Sequence, residues 1–230
     1  MVKTEKRIFY KEISYVLGLI IMSLGAAFTV LAELGMSMVV APAYILHLKL
    51  SETLPWFSFG ISEYFVQGFL VLLTAAIMRR FKLSYLFSFV TAVLYGTMLD
   101  GAIYLTSFVP ADTLALRFLW CILGTVLCAI AVSLFLHTYI SPEAYELILK
   151  EITTTFSLNV TRTKMIYDVT STIISVILSF SFFGFGEFHG IGIGTLICAL
   201  ISGFIVGKTS NILDHFFRFE HRFNIEKFFK

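Results

Sequence analysis

Lys164 and Asp168 stand four residues apart inside one long apolar run, and Glu63 and Asp100 interrupt two others. If those runs cross a bilayer, each ionisable group costs several kcal/mol in lipid, so it should face protein or water and mark a pathway. The spacing of Lys164 and Asp168 puts them on one helix face, where they can pair. Two readings stay open for this pair. It is a structural ion pair with Lys164 snorkelling to the interface, or Asp168 binds substrate or a coupling cation with Lys164 as its switchable counter-ion. Glu63 is either a solvated helix-end carboxylate or part of a cation or proton site. Tyr64 and Gln67 stand beside it as hydrogen-bonding groups, and Tyr95 and Tyr167 could serve the same purpose elsewhere. Asp100 lies between Gly96 and Gly101, small residues that would let a helix or ligand approach closely. The substrate or ion site is therefore expected among Asp168, Lys164, Asp100, Glu63, Tyr64 and Gln67.

Other chemistry finds less support. No Ser/His or Asp/His arrangement falls at a shared depth, so an enzyme is not expected. His47 and His137 fall near opposite membrane boundaries, and His189, His215 and His221 lie in a loop or the tail, so neither a metal nor another cofactor is expected. Cys121, Cys128 and Cys198 sit within apolar runs and read as small buried residues.

The elements that must position these groups follow from composition. The 230 residues are 58% hydrophobic and 14% charged, against about 45–50% and about 25% in soluble domains. Mean hydropathy is +0.88. Six segments reach the roughly 20 apolar residues that a spanning helix needs: 13–34, 57–78, 84–109, 114–136, 162–183 and 191–213. With both termini placed in the cytoplasm, all of the 17 Lys and Arg except Lys49, Arg117 and Lys164 fall on the cytoplasmic side, as the positive-inside rule requires. The basic start leads into an apolar run too long for a cleavable signal, so none is expected. The sequon at Asn159 falls on the cytoplasmic side and is set aside.

Segments 36–48 and 142–156 read as helices too short or too polar to span. The first is almost wholly apolar and could re-enter the membrane. The second has a strong start, with Ser141 as N-cap, Pro142 at the first position and Glu143 in the first turn. Its charges, Glu143, Glu146, Lys150 and Glu151, suggest a place at the cytoplasmic interface or along a wet vestibule. In the tail, 214–230, phenylalanines alternate with basic residues, which suits an interfacial helix on anionic lipid rather than a nucleic-acid surface.

The two halves resemble each other. Pro42-Ala43-Tyr44 has its counterpart in Pro142 and Ala144-Tyr145, Glu63 corresponds to Asp168, and 88–100 aligns with 195–207. Three spans per copy, over about 13–109 and 114–213, force the second copy to enter from the opposite side. The fold class is therefore all-α: one polytopic membrane domain with six spans, two short helices and a 3+3 inverted-topology repeat. Many secondary transporters are built this way, with the site near the midplane where the copies meet. An old duplication without transport is the alternative.

Several motifs, in order, also resemble a known family. They include Leu34-Gly35-Met36-Ser37 leading to Pro42-Ala43-Tyr44, Arg79-Arg80-Phe81-Lys82, Tyr95-Gly96 through Asp100, Pro142-Glu143, Lys164 with Asp168, and Gly194-Thr195 ahead of Gly203. Over about 13–210 the chain resembles the YczE/YitT-like integral membrane proteins of bacteria. The resemblance implies a bacterial cytoplasmic membrane and a transport or export role. Met38 stands where that family often has proline. The expected partners are a small-molecule substrate and the lipid bilayer, without nucleic acid; a second copy of the chain is left open. Three functions stay in view: a secondary transporter or exporter, a substrate-capturing subunit of a multi-component transporter, and a membrane assembly factor.

Overall fold

A computed structural model describes residues 6–222. Six helices in it are long and apolar enough to cross a membrane: α1 (Lys11–Ala32), α3 (Phe59–Met78), α4 (Phe87–Thr106, entered through a 3₁₀ turn at Leu83–Leu86), α5 (Leu114–Leu136), α7 (Val160–Phe183) and α8 (Ile193–Phe216). The two short helices are α2 (Ala41–Ser51) and α6 (Ala144–Thr155). The six-span, all-helical reading of the sequence therefore holds, with ends displaced by a few residues.

Local chemistry sets several boundaries. The side chains of Ser58, Thr113 and Asn159 accept from the amides of Ile61, Leu116 and Arg162, capping α3, α5 and α7. Helix α1 ends on Glu33 in the left-handed region, and Gly35 (φ 115°) completes the turn. Segment 36–40 does not join α2 as the sequence suggested. Its backbone is held elsewhere: Met36 donates to Gly190 at 2.9 Å, and Met36 accepts from Thr195 Oγ1 at 2.7 Å.

Helices α1 and α5 form the central packing pair, α1 also packs on α4, and α5 on α8. At their crossing, Gly25 and Gly124 bring two backbones together. A Cβ on Gly25 would lie 2.8 Å from the Cys128 backbone nitrogen. Gly203 and Gly207 do the same for α8 against α7, where a Cβ on Gly203 would lie 2.8 Å from the Met165 nitrogen. The cysteines are free, and Cys121 and Cys198 face each other with sulfurs 3.9 Å apart.

One feature departs from the expected all-helical plan. Residues Phe217–Glu220 (β2) form a strand, not an interfacial helix, and pair in parallel with Arg7–Tyr10 (β1). Phe9 packs edge-on against Phe217 and Phe219, an alternation of aromatics that favours an extended pairing. This clasp ties the start of α1 to the end of α8. The remaining aromatic and basic tail residues, 223–230, lie outside the described residues.

Candidate functional site

The second short helix is packed within the protein rather than lying on its surface. Residues 141–149 are all buried, and α6 is wedged chiefly against α3, with α4, α5 and α7 around it. Its approach is an extended segment pinned by side chains: Tyr15 Oη donates to Thr91 Oγ1, which donates to the Ser141 carbonyl, both at 2.8 Å. Lys150 Nζ donates to the Ile140 carbonyl at 2.9 Å. Helix α6 then runs beside α3. Tyr145, near its start, meets Glu63, while Glu151, near its end, receives Tyr85 Oη at 2.8 Å and faces Lys82 and Arg80. The wet vestibule inferred from the charges of α6 is thus replaced by protein packing. The charges of its first turn point into the core, and only its last turn reaches the basic end of the bundle.

Around the start of α6 the chain gathers a polar cluster. Tyr145 Oη donates to Glu63 Oε2 at 2.8 Å. Gln67, one turn along α3 and buried, interacts with the same carboxylate. Glu143 and Glu146 are buried beside them. On α7, Lys164 Nζ and Asp168 Oδ1 are 2.7 Å apart, with Lys164 5% exposed and Asp168 fully buried. Ser202 of α8 donates to the other Asp168 oxygen, and Lys164 lies over the Tyr167 ring, 5.5 Å from its centroid. Met38 and Val39, which lead into α2, share an apolar cluster with Tyr145. The lead-in to α2 and the start of α6 therefore meet in this region, and Glu143 and Glu146 themselves stand at the positive end of the α6 dipole.

The electrostatics are unbalanced. Four carboxyls stand against one ammonium, and that ammonium already serves Asp168. Burial pushes Glu143 well above the usual carboxylate range, and the carboxyls of Glu146 and Glu63 push it further. Burial takes Glu146 up to about 7 despite the nearby Lys164. Burial also pulls Lys150 down to about 7. Among the described residues, two buried side-chain atoms lack any hydrogen-bond partner: Gln67 Oε1 and Glu146 Oε2. Both belong to this cluster.

The structure brings together Asp168, Lys164, Glu63 and Gln67, and it parts them from the other two. Tyr64 is 49% exposed on the outside of α3. Asp100 is exposed, and Gly96 and Gly101 beside it face open space, so the close helix approach expected there does not occur. Missing from the expected set were Glu143, Tyr145 and Glu146. The pairing of Pro142 with Pro42 carried the signal. A short helix matched to an apolar re-entrant candidate should itself have been expected inside. Among the described residues, no three of His, Cys, Asp and Glu are grouped to hold a metal ion.

Residues 9–211, which include every member of the cluster, match the profile of DUF6198, a family of unknown function. The chain belongs to DUF6198. Membership covers nearly the whole six-span bundle, and it is to DUF6198, not specifically to the YczE/YitT-like proteins that its motifs resemble. No curated protein and no solved structure matches the chain.

Proposed function

We propose that the protein is a secondary transporter or exporter of a small organic molecule, coupled to a proton or another cation. The observation that carries this reading is the buried cluster. Buried carboxyls and a lysine, drawn from both halves of the chain, meet near the starts of two short helices, and two polar atoms among them, Gln67 Oε1 and Glu146 Oε2, are left unpartnered. Such groups are costly in lipid and by default point to a substrate or ion pathway.

An inverted repeat supports the same reading. Helix partnerships come in reciprocal sets: α1 with α4 answers to α5 with α8, and α2 with α7 answers to α6 with α3. The site then falls at the interface of the repeats, as in other transporters built from broken helices. We place the protein in a bacterial cytoplasmic membrane with both termini inside, on the strength of its Lys and Arg distribution and its resemblance to YczE/YitT-like proteins. A second reading, the membrane subunit of a multi-component transporter, draws on one face of α4, where Asp100 is exposed and a Cβ on Gly96 or Gly101 would meet nothing within 4 Å. Co-purification of an ATPase would favour it.

The test is flux. Purified protein in proteoliposomes, screened against a metabolite library for dissipation of an imposed pH gradient, should reveal a transported compound. Asp168→Asn should then slow that flux by a factor of about 30 or more, the equivalent of about 2 kcal/mol for a lost buried charge contact. Full flux in Asp168→Asn would remove the cluster from the pathway.

A further inference from the structure

The cluster holds two acidic loci with different fates. At Asp168 the charge is met: Lys164 pairs with one carboxylate oxygen and Ser202 donates to the other. At the α3–α6 locus nothing comparable is present. Glu63 receives a neutral phenol hydroxyl from Tyr145, Glu146 has an oxygen with no partner, and Gln67 offers an equally unpartnered carbonyl oxygen. A buried carboxylate without a counter-ion or donors is untenable as an anion; it takes up a proton instead. Among the described residues, the cation whose charge acts on Glu146 is Lys164, one face of which already serves Asp168; Lys150, one turn along α6, is engaged by the Ile140 carbonyl.

We propose that Glu146 is the proton-carrying group of this protein, neutral while Lys164 holds Asp168 and, once deprotonated, the competing partner that draws Lys164 away. The inference rests on the transport reading for its purpose, because it names the coupling ion and its carrier. The proton balance is simple. The proton leaves Glu146 for water on one face of the membrane, the cluster gains one negative charge, and Lys164 moves to meet it. Asp168 is then without its ammonium and open to a cationic or hydrogen-bond-donating substrate. Proton uptake by Glu146 reverses the exchange.

Every element packed against Glu146 contributes to its setting. Glu63 comes from α3, Tyr95 from α4, Cys128 from α5, Glu143 from α6 itself, and Lys164, Tyr167 and Asp168 from α7. The acids hold the proton on, and Lys164 opposes them.

The test needs no substrate. Infrared difference spectra of the purified full-length protein in lipid nanodiscs, titrated with acid and base, should show the C=O stretch of a protonated carboxylic acid that is lost as pH rises through about 7. Glu146→Gln should abolish that band. Glu146→Asp, which keeps a carboxyl, should retain it with a moved midpoint, so a folding failure in the first variant leaves the second to decide. Lys164→Met should raise the midpoint and Asp168→Asn should lower it, each by about one pH unit, because the first removes a cation and the second frees that cation for Glu146. A band absent from the wild type, or one unaltered in both Glu146 variants, overturns the proposal. So do midpoints indifferent to Lys164 and Asp168. A titrating Glu146 in a protein that moves no substrate would sink the transport reading alone.

Discussion

At the scale of single residues, the pair of Lys164 and Asp168 has the clearest energetic consequence. Both are buried, their polar atoms are 2.7 Å apart, and the i, i+4 geometry needs no loop to hold it. Removing one partner leaves an unpaired charge in a low-dielectric core, which costs about 3–5 kcal/mol, whereas replacing both by apolar residues is often near neutral. Lys164→Met should therefore destabilise the protein by about 3–5 kcal/mol in denaturant unfolding from lipid nanodiscs. The double variant Lys164→Met, Asp168→Leu should recover most of that loss and still fail to transport. Equal stability of the single variant and the wild type would mean that Asp168 is already neutral. This pair was legible in the sequence because spacing alone puts both groups on one face, and the same holds for Glu63 and Gln67 on α3. Asp100 and Tyr64 were misplaced for a complementary reason. Spacing along a helix gives the angle between two residues but not which face the bundle covers, and theirs is the uncovered one.

At the scale of an element, α6 is unusual in that a buried acid and a base shifted by burial lie one turn apart. Glu146 is raised to about 7 and Lys150 lowered to about 7. The signs follow from linkage. Between the ordinary carboxylate range and about 7 the folded protein holds the Glu146 proton more tightly than the unfolded chain, so its contribution to stability declines as pH rises. From about 7 to the ordinary lysine range the unfolded chain holds the Lys150 proton more tightly, so stability climbs again. From these two groups α6 should be least stable near neutrality. Hydrogen exchange of its amides, corrected for the intrinsic rate at each pH, should show minimum protection there. Glu146→Gln should remove the acid limb and Lys150→Met the alkaline one. Protection flat across that range in the wild type would show that neither group titrates as its surroundings demand. Four charges within so few residues read as an interfacial helix, because composition registers hydration preference and not the neighbours that override it. What places α6 inside is α3 alongside it, the Tyr15–Thr91–Ser141 chain that leads the backbone in, and the basic end of the bundle that meets Glu151.

For the whole molecule, the informative feature is a broken symmetry. Most helix partnerships recur in both halves, but α7 packs closely on α8 while α3 and α4 are held apart, with α6 alongside both. On the repeat and transport reading proposed above, two copies in different arrangements are what alternating access asks for: exchanging the arrangements generates the opposite state. That exchange would separate α7 from α8 and bring α3 onto α4. The α7–α8 seam is built from Gly203 and Gly207 against Met165 and Thr161, and parting it breaks the Ser202–Asp168 hydrogen bond, so the freed carboxylate must find a substrate or another donor in its place. Thr161→Cys with Gly207→Cys, in a background with Cys121, Cys128 and Cys198 replaced, should form a disulfide across the seam once the helices ease apart by about 1 Å, because the two Cβ positions lie 2.9 Å apart and a disulfide needs about 3.5–4.5 Å. Oxidation should then stop flux, and reduction should restore it. The proton titration of Glu146 should survive in the oxidised protein, because the acid stays where it is and only the exchange of arrangements is blocked. Undiminished flux through the crosslinked protein would place the moving parts elsewhere, and the difference between the halves would then be a fixed asymmetry of the fold.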